Sequence, residues 1–119
     1  MNSKKVREYF LNKPHSDESY PFGPDVAVYK VKGKMFATYG THNDLPAINL
    51  KCDPDEASAL RDIFKSVIPG YHMNKRHWNT VYLDGSIPQG ELERMIDNSF
   101  LLVVSKMTKK DQQSILMHL

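Results

Sequence analysis

The chain has 119 residues, of which 40% are hydrophobic and 25% are charged, and these values are typical of one globular domain. We therefore expect a single domain over residues 1–119, with a core that needs neither metal nor disulfide. The formal net charge is only +2, whereas nucleic-acid-binding domains usually carry a strongly basic face. No apolar run approaches the roughly 18 residues that span a bilayer, so a membrane partner is not expected.

The N-terminus and the cysteine content indicate a cytoplasmic protein. The first seven residues, MNSKKVR, lack the apolar segment of a signal peptide. Cys52 is the only cysteine, which excludes an internal disulfide and any site that needs several thiolates. Cys52 lies where a strand-like run meets a helix start, and no base adjoins it in the sequence. These features favour a small residue at an element boundary over a nucleophile.

The first predicted element is a short amphipathic helix. Val6 and Phe10 are spaced as one helical face, which predicts a helix over about residues 3–12 with Ser3 as its N-cap. Residues 14–25 contain three prolines and a glycine. This segment is predicted to be a loop, and it is long for a compact domain.

Three strands are predicted next. Residues 25–31 and 34–40 are rich in β-branched and aromatic side chains, and the Lys32-Gly33 pair between them is typical of a two-residue hairpin turn. A second turn is predicted at residues 40–44, and a third strand at residues 45–51. Because short turns join these strands, they should form an antiparallel meander.

The segment CDPDEASALRDIFKSVIPG carries the clearest helix signal. Asp53 is predicted to be the N-cap, Pro54 occupies the first helical position, and Glu56 has the spacing of a capping box. Pro69-Gly70 ends the predicted helix. The apolar face expected to pack on the core consists of Leu60, Ile63, Phe64 and Val67.

The segment YHMNKRHWNTVYLDG follows, and it combines many hydrogen-bond donors with the only tryptophan of the chain. It is predicted to form two strands, at residues 71–76 and 78–83. Val81 and Leu83 are the more apolar set of the second strand, so they are expected to face the helices. Trp78 would then lie on the outer face of the sheet or at its rim, partly exposed.

Two helices are predicted to complete the chain. Pro88 begins the first, and Thr108 caps the second. The order α-β-β-β-α-β-β-α-α predicts an α+β fold, a two-layer sandwich whose antiparallel sheet of about five strands has helices on one face. The predicted apolar faces are Leu92, Met95, Ile96, Phe100 and Val103 in the first helix, and Ile115, Leu116 and Leu119 in the second.

Polar residues beside Trp78 support binding to nucleic acid. They can donate hydrogen bonds to phosphate or to base edges, and the indole ring could stack on a base. The lysines around the first hairpin could contact a phosphate backbone. Judged by residue types alone, a solvated turn with a buried tryptophan is the more common arrangement. The predicted contact residues are Lys30, Lys32, Lys34, Asn74, Lys75, Arg76, His77 and Trp78.

Metal binding and catalysis have weaker support. His72 and His77 are five residues apart, so on an extended strand their side chains would point to opposite faces. The sequence contains no H-E-x-x-H motif, no G-x-G-x-x-G or Walker loop and no nucleophile elbow. No metal, no cofactor and no catalytic residue is therefore predicted.

Three motifs resemble those of the MmcQ/YjbR family of small bacterial proteins. They are GKMFA (33–37), LKCDP (50–54) and PGYHMNKRHW (69–78), in the same order and at similar spacing, and the resemblance extends to about residue 105. It implies a two-layer α+β fold similar to frataxin (CyaY) and to secretion-chaperone-like domains. Family members are commonly described as DNA-binding through a double wing of β-hairpins. In this chain the wings would be the hairpins near Lys32-Gly33 and near residues 74–79.

Three functional hypotheses follow. The first is a non-enzymatic binding domain with DNA as its ligand, the second a protein-interaction module, and the third an enzyme with a small-molecule site. A continuous basic face joining Lys32, Lys75 and Arg76 would favour nucleic acid, and a broad apolar patch would favour a protein partner. A deep pocket lined by His72 or His77 would favour a small molecule.

Overall fold

Four helices and an antiparallel sheet of six strands account for residues 1–117, the part of the chain that the computed structural model describes. The predicted α+β architecture is confirmed, with one strand more than about five. The helices are α1 (Ser3–Leu11), α2 (Pro54–Ile63), α3 (Gln89–Val104) and α4 (Lys109–Leu116). The strands are β1 (Ser16–Ser19), β2 (Ala27–Val31), β3 (Lys34–His42), β4 (Leu45–Lys51), β5 (Val67–Pro69) and β6 (Trp78–Tyr82), in the sheet order β1-β2-β3-β4-β6-β5.

Apolar and polar side chains alternate along the central strands, so the two faces of the sheet differ in chemistry. Ile48 of β4 pairs with Val81 of β6, and both are buried in the core under the helices. The next residues along, Asn49 and Thr80, also pair with each other, and their side chains lie on the opposite side of the sheet. This opposite side is termed the outer face. The prediction that Val81 faces the helices is confirmed.

The core is built mainly from α3 and the aromatic residues beneath it. The predicted face of α3 is confirmed, since all five of its residues are buried. The rings of Phe36 and Phe100 meet edge to face at 5.3 Å, and those of Phe10 and Tyr29 lie 4.7 Å apart. Each such pair adds about 0.5–1.5 kcal/mol beyond burial. None of the helices described is long and apolar enough to cross a membrane.

The N-terminal segment differs from the prediction in two respects. Asn2, not Ser3, caps α1, because its side-chain oxygen accepts a hydrogen bond from the Lys5 amide at 2.9 Å. Part of the predicted loop forms β1, which pairs with β2 at the edge of the sheet. The sequence SDES of β1 has no strand pattern of its own, so this strand depends on its partners.

A polar network fixes β1 to the core. The Tyr29 hydroxyl donates to the Glu18 carboxylate at 2.5 Å, and Arg7 of α1 donates to the Tyr29 oxygen at 3.1 Å and to Glu18 at 3.4 Å. The hydrogen bond from Tyr29 is the main reason that the pKa of Glu18 is lowered. The network therefore joins α1, β1 and β2.

The two hairpin turns follow the local sequence. Lys32 and Gly33 have φ values of 46° and 79°, as a type I′ turn requires, which agrees with the predicted turn. The second turn is formed by Asn43 and Asp44, with φ values of 52° and 63°. It begins later than predicted because β3 continues as far as His42.

Helix α2 begins as predicted and ends early. Asp53 accepts a hydrogen bond from the Asp55 amide at 3.1 Å, and Pro54 is the first helical residue. The helix ends at Ile63, which is 68% exposed although it was predicted to be buried, whereas Leu60 is only 6% exposed. Phe64 is extended and partly buried against the core.

Pairing with β6 explains this early end. Val67, predicted to be helical, lies in β5 and pairs with Val81. Two β-branched residues precede Pro69, and the residue before a proline avoids the helical conformation. The strand ladder therefore replaces the last turn of the predicted helix.

Residues 71–76 are a loop, so the strand predicted there is wrong. The segment 70–77 connects β5 to β6 and is termed the 70–77 loop. Its backbone is satisfied locally, by hydrogen bonds from Met73 N to Gly70 O at 3.2 Å and from His77 N to Asn74 O at 3.1 Å. His72 has a φ of 58°, which no strand allows.

Strand directions bring two connections to one end of the sheet. β2 and β4 are both antiparallel to β3, so β4 ends at the same end as the Lys32-Gly33 turn. Lys51, the last residue of β4, pairs with Trp78, the first residue of β6. The 70–77 loop therefore lies at this end as well.

The last helix is capped as predicted. The Thr108 hydroxyl accepts a hydrogen bond from the Asp111 amide at 3.2 Å. Ile115 is buried, whereas Leu116 is exposed. Leu119, also predicted on the apolar side of this helix, lies outside the described residues.

The end of α2 can be tested with two large-to-small substitutions. Leu60→Ala should lower the free energy of unfolding by about 2–5 kcal/mol, because it removes a buried side chain. Ile63→Ala should change it by no more than about 0.5 kcal/mol, because that side chain is exposed. Urea denaturation of both variants measures the difference. Similar losses in the two variants would contradict the assigned end of α2.

Candidate functional site

Two grooves at the hairpin end of the sheet are lined by lysines. The first, of about 560 Å³, is lined by Lys32, Lys34, Lys51 and Lys106, together with residues at the α3–α4 junction. The second, of about 290 Å³, shares Lys51 and Lys106 and extends to the 70–77 loop. Because the grooves share two lysines, they form one continuous surface, which is termed the lysine surface.

The charge of the lysine surface is positive. Its four lysines face two aspartates, Asp53 and Asp111. Asp111 pairs with Lys32 at 3.2 Å, and such an exposed pair is worth at most about 1 kcal/mol. Two further exposed lysines, Lys109 and Lys110, begin α4 immediately after Thr108, which lines the first groove.

The structure brings together several of the predicted contact residues. Lys32 and Lys34 line the first groove, and Asn74, His77 and Trp78 line the second. The residues that join the two groups are Lys51 and Lys106, which the sequence analysis missed. They come from the end of β4 and from the turn after α3, so only the tertiary structure reveals their proximity.

The other three predicted contact residues lie outside these grooves. Lys30 alternates with the core-facing Tyr29 and Val31 of β2, so it lies on the outer face. The Lys75 ammonium donates to the Gly70 carbonyl at 3.2 Å and is held against its own loop. Arg76 is exposed. These grooves do not join Lys32 to Lys75 and Arg76, so the basic face that would favour nucleic acid is not formed by those residues, and the lysines shared by the two grooves are Lys51 and Lys106.

Trp78 is more buried than predicted. Its exposed fraction is 9%, and the 70–77 loop approaches its backbone closely. The Gly70 amide donates to the Trp78 carbonyl at 2.9 Å. A Cβ atom on Gly70 would lie 2.9 Å from the Trp78 Cβ, so only glycine allows this approach. The expected partial exposure is wrong, and the tryptophan anchors the loop.

A separate pocket of about 370 Å³ lies on the outer face and is termed the outer-face pocket. The first part of the 70–77 loop turns over this face, where the Tyr71 amide donates to the Thr80 hydroxyl at 3.0 Å. His72 lines this pocket, whereas His77 lines the lysine surface. The two histidines therefore belong to different sites.

A polar ladder crosses the floor of the outer-face pocket. The Thr80 hydroxyl donates to the Asn49 Oδ1 at 2.5 Å, and the Asn49 amide donates to the Thr38 Oγ1 at 3.0 Å. Thr38 and Thr80 are buried even though no residue of α1 to α4, as described, lines the pocket above them. The ladder joins β3, β4 and β6 across their outer face.

Three rings in tilted contact form one wall of the outer-face pocket. The Tyr71 ring lies 4.2 Å from the His42 ring and 4.1 Å from the His72 ring. His42 Nδ1 is hydrogen-bonded to the Tyr82 hydroxyl, which also accepts from Asn43 Nδ2 at 3.2 Å. If Tyr82 donates to Nδ1, neutral His42 carries its proton on Nε2 and presents an N–H donor there.

The remaining candidates for chemistry are not assembled into a site. Cys52 is buried, and burial together with the charges of Glu56 and Asp53 raises its pKa to about 11. Its amide donates to the His77 carbonyl at 2.7 Å, as suits a residue at an element boundary. Within residues 1–117, no three His, Cys, Asp or Glu side chains cluster in a way that could hold a metal ion.

Known proteins share this architecture. The YjbR family model matches residues 11–102. The chain belongs to the YjbR family. It is 39% identical over 105 residues to YbdF of Escherichia coli O157:H7, an alignment that covers 88% of this chain and 86% of the relative. It is 31% identical over 113 residues to YjbR of Escherichia coli strain K12, covering 95% and 96%.

A solved structure of the family has the same fold. The crystal structure of a Deinococcus radiodurans protein with a DUF419 domain superimposes with a TM-score of 0.86 at 36% identity, and covers 94% of this chain and 86% of that one. The predicted MmcQ/YjbR resemblance is therefore confirmed. All residues that line the outer-face pocket lie within the family match, whereas Lys106 and α4 lie beyond it.

Tryptophan fluorescence tests the position of Trp78. As the only tryptophan, it should emit at a blue-shifted wavelength, and acrylamide should quench it several-fold less in the native protein than in the urea-unfolded chain. Buried indole rings are shielded from the quencher because the protein packs around them. Equal quenching of the two states would show that the 70–77 loop does not cover the ring.

The reactivity of Cys52 tests its environment. With a pKa of about 11, the native thiol should react with a disulfide reagent near pH 8 on the order of 100-fold more slowly than the unfolded chain, whose pKa is about 8.5. The native rate should keep rising with pH towards about 11, after the unfolded rate has levelled off. A native thiol as reactive as the unfolded one would contradict this environment.

Proposed function

We propose that the protein binds nucleic acid through the lysine surface, with duplex DNA as its principal ligand. The observation that carries this proposal is the continuity of the two grooves through Lys51 and Lys106. Four lysines from the first hairpin, β4 and the α3–α4 turn meet at one end of the sheet. This local concentration of charge supports the proposal although the net charge of the chain is only +2.

The ligand chemistry follows from the side chains. Lysine ammoniums are point charges that neutralise phosphates and release counterions, and this interaction is independent of base sequence. At the far end of the surface the Asn74 side-chain oxygen accepts the Arg76 amide at 3.0 Å, which leaves its NH₂ group as a donor. Lysines with a directional donor suit a phosphate backbone.

The arrangement of hairpins supports the same ligand. The Lys32-Gly33 turn joins β2 to β3, and the 70–77 loop joins β5 to β6. Both connections lie at the same end of the sheet, as two wings on one nucleic acid would require. Because Trp78 is only 9% exposed, base stacking contributes little, which favours duplex over single-stranded DNA.

A binding assay over a salt series tests this proposal. The logarithm of the association constant should fall linearly with the logarithm of salt concentration, by about 0.9 for each phosphate neutralised on duplex DNA. The double variant Lys51→Gln/Lys106→Gln should weaken binding at low salt. It should also flatten the slope by up to about 1.8, because two phosphate contacts are lost.

The matched control is Lys4→Gln/Lys5→Gln. Lys4 and Lys5 are exposed at the start of α1 and lie outside both grooves. This variant also removes two positive charges, but from a different place. It therefore distinguishes an effect of the lysine surface from an effect of the net charge of the chain. Equal weakening in both double variants would contradict a defined site. If neither duplex nor single-stranded DNA binds at low salt, the proposal is excluded.

A further inference from the structure

We infer that the outer-face pocket binds an uncharged, planar aromatic molecule that carries a hydrogen-bond acceptor. This inference does not depend on the nucleic-acid proposal, because none of the lysines of the lysine surface lines this pocket. Its volume of about 370 Å³ lies within the range of small-molecule sites. It is roofed by two loops, one carrying Phe22 and the other carrying Tyr71, His72 and Met73.

The lining of the pocket disfavours charged ligands. Thirteen of the described residues line it, and two of these are histidines but none is Asp, Glu, Lys or Arg, although a quarter of the whole chain is charged. An ionised ligand would lose its hydration there without gaining a counter-charge, and that exchange is unfavourable. An uncharged molecule has no such cost.

The exposed rings of the two loops indicate an aromatic ligand. Phe22 is 74% exposed and Tyr71 is 51% exposed, yet both line the same pocket. Large aromatic side chains gain free energy when another ring covers them in a stacked or edge-to-face arrangement. Met35 and Met73 also line the pocket, and their flexible, polarisable side chains adapt to flat surfaces.

The backbone of the loop is strained next to the three rings. His72 adopts a left-handed conformation with a φ of 58°, which is unfavourable for a residue with a side chain. The His72 ring contacts the Tyr71 ring at an interplanar angle of 47°, and the Tyr71 ring contacts the His42 ring at 52°. The wall is therefore formed before any ligand enters, as is usual for small-molecule sites.

Two polar groups of the pocket can donate a hydrogen bond to a ligand. The oxygen of Thr38 accepts from Asn49 at 3.0 Å, which leaves its hydroxyl hydrogen for a ligand. His42 adds an N–H donor when Tyr82 donates to its Nδ1. The acceptor groups of Asn49 and Thr80 are already occupied by the chain. A ligand with a ring nitrogen or a carbonyl oxygen is therefore favoured.

Titration of the full chain with quinoline, followed by ¹H–¹⁵N NMR spectra at neutral pH, tests this inference. Quinoline is planar, uncharged at this pH and carries a ring nitrogen. The largest shifts should occur at the backbone amides of Thr38, Asn49, Tyr71 and Thr80. Quinoline-2-carboxylate has the same ring system and a negative charge, so it should bind more weakly.

Tyr71→Ala should weaken quinoline binding several-fold, up to about tenfold, because one stacking partner is lost. The fold should persist, since the side chain is half exposed and the hydrogen bond to Thr80 comes from the backbone. The control is Ile63→Ala, which removes a large exposed side chain on α2. This variant should bind quinoline like the original chain. Lys51→Gln/Lys106→Gln should also bind quinoline normally, which separates this site from the lysine surface.

Three results would overturn the inference. One is a set of shifts centred away from the outer face, and another is unchanged affinity in Tyr71→Ala. The third is binding of the carboxylate as tight as that of quinoline, because none of the described lining residues is Lys or Arg.

Discussion

The register of β4 between β3 and β6 is the constraint on which both candidate sites depend. Ile48 faces the helices, and its neighbour Asn49 forms the centre of the polar ladder on the outer face. A slip of one residue would exchange these faces, placing an amide in the core and an isoleucine on the pocket floor. The same register pairs Lys51 with Trp78 and so brings the 70–77 loop to the lysine surface. Core burial, which is the main source of stability, thereby fixes the geometry of both surfaces.

The 70–77 loop belongs to both surfaces, and its conformation depends on what lies beneath it. Gly70 approaches Trp78 so closely that any side chain would clash, and the amide of Tyr71 is fixed to Thr80. These contacts direct the first half of the loop over the outer face. The turn closed by Asn74 and His77 directs the second half towards Lys51. A loop held by such tertiary contacts positions side chains more accurately than a mobile one.

Sequence reasoning succeeded where the determinants are local. The Lys32-Gly33 turn, the Asp53-Pro54 helix start and the apolar face of α3 each depend on residues within a few positions of one another. Sequence reasoning failed where the structure of a segment depends on residues that are distant in the sequence. β1 is held in the sheet by the hydrogen bonds that Tyr29 and Arg7 donate to Glu18. β5 replaces the predicted helical turn because its backbone pairs with β6. The alternation of β6 was predicted correctly, but the burial of Trp78 depends on how the loop covers it. Lys51 and Lys106 are ordinary lysines in the sequence, and only the fold makes them neighbours.

The small net charge is a poor guide to binding because the fold sorts charges by location. Arg94 pairs with Glu56 at 2.8 Å and with Glu91 at 3.0 Å, and Lys13 pairs with Asp97. These pairs neutralise acidic and basic groups, whereas on the lysine surface the lysines outnumber the acids. The potential that a ligand meets depends on this local excess more than on the total. The outer-face pocket is the opposite case, since it has no charged lining residue. One small sheet thus presents a strongly hydrated end and a weakly hydrated face, and these two environments select ligands of different chemistry.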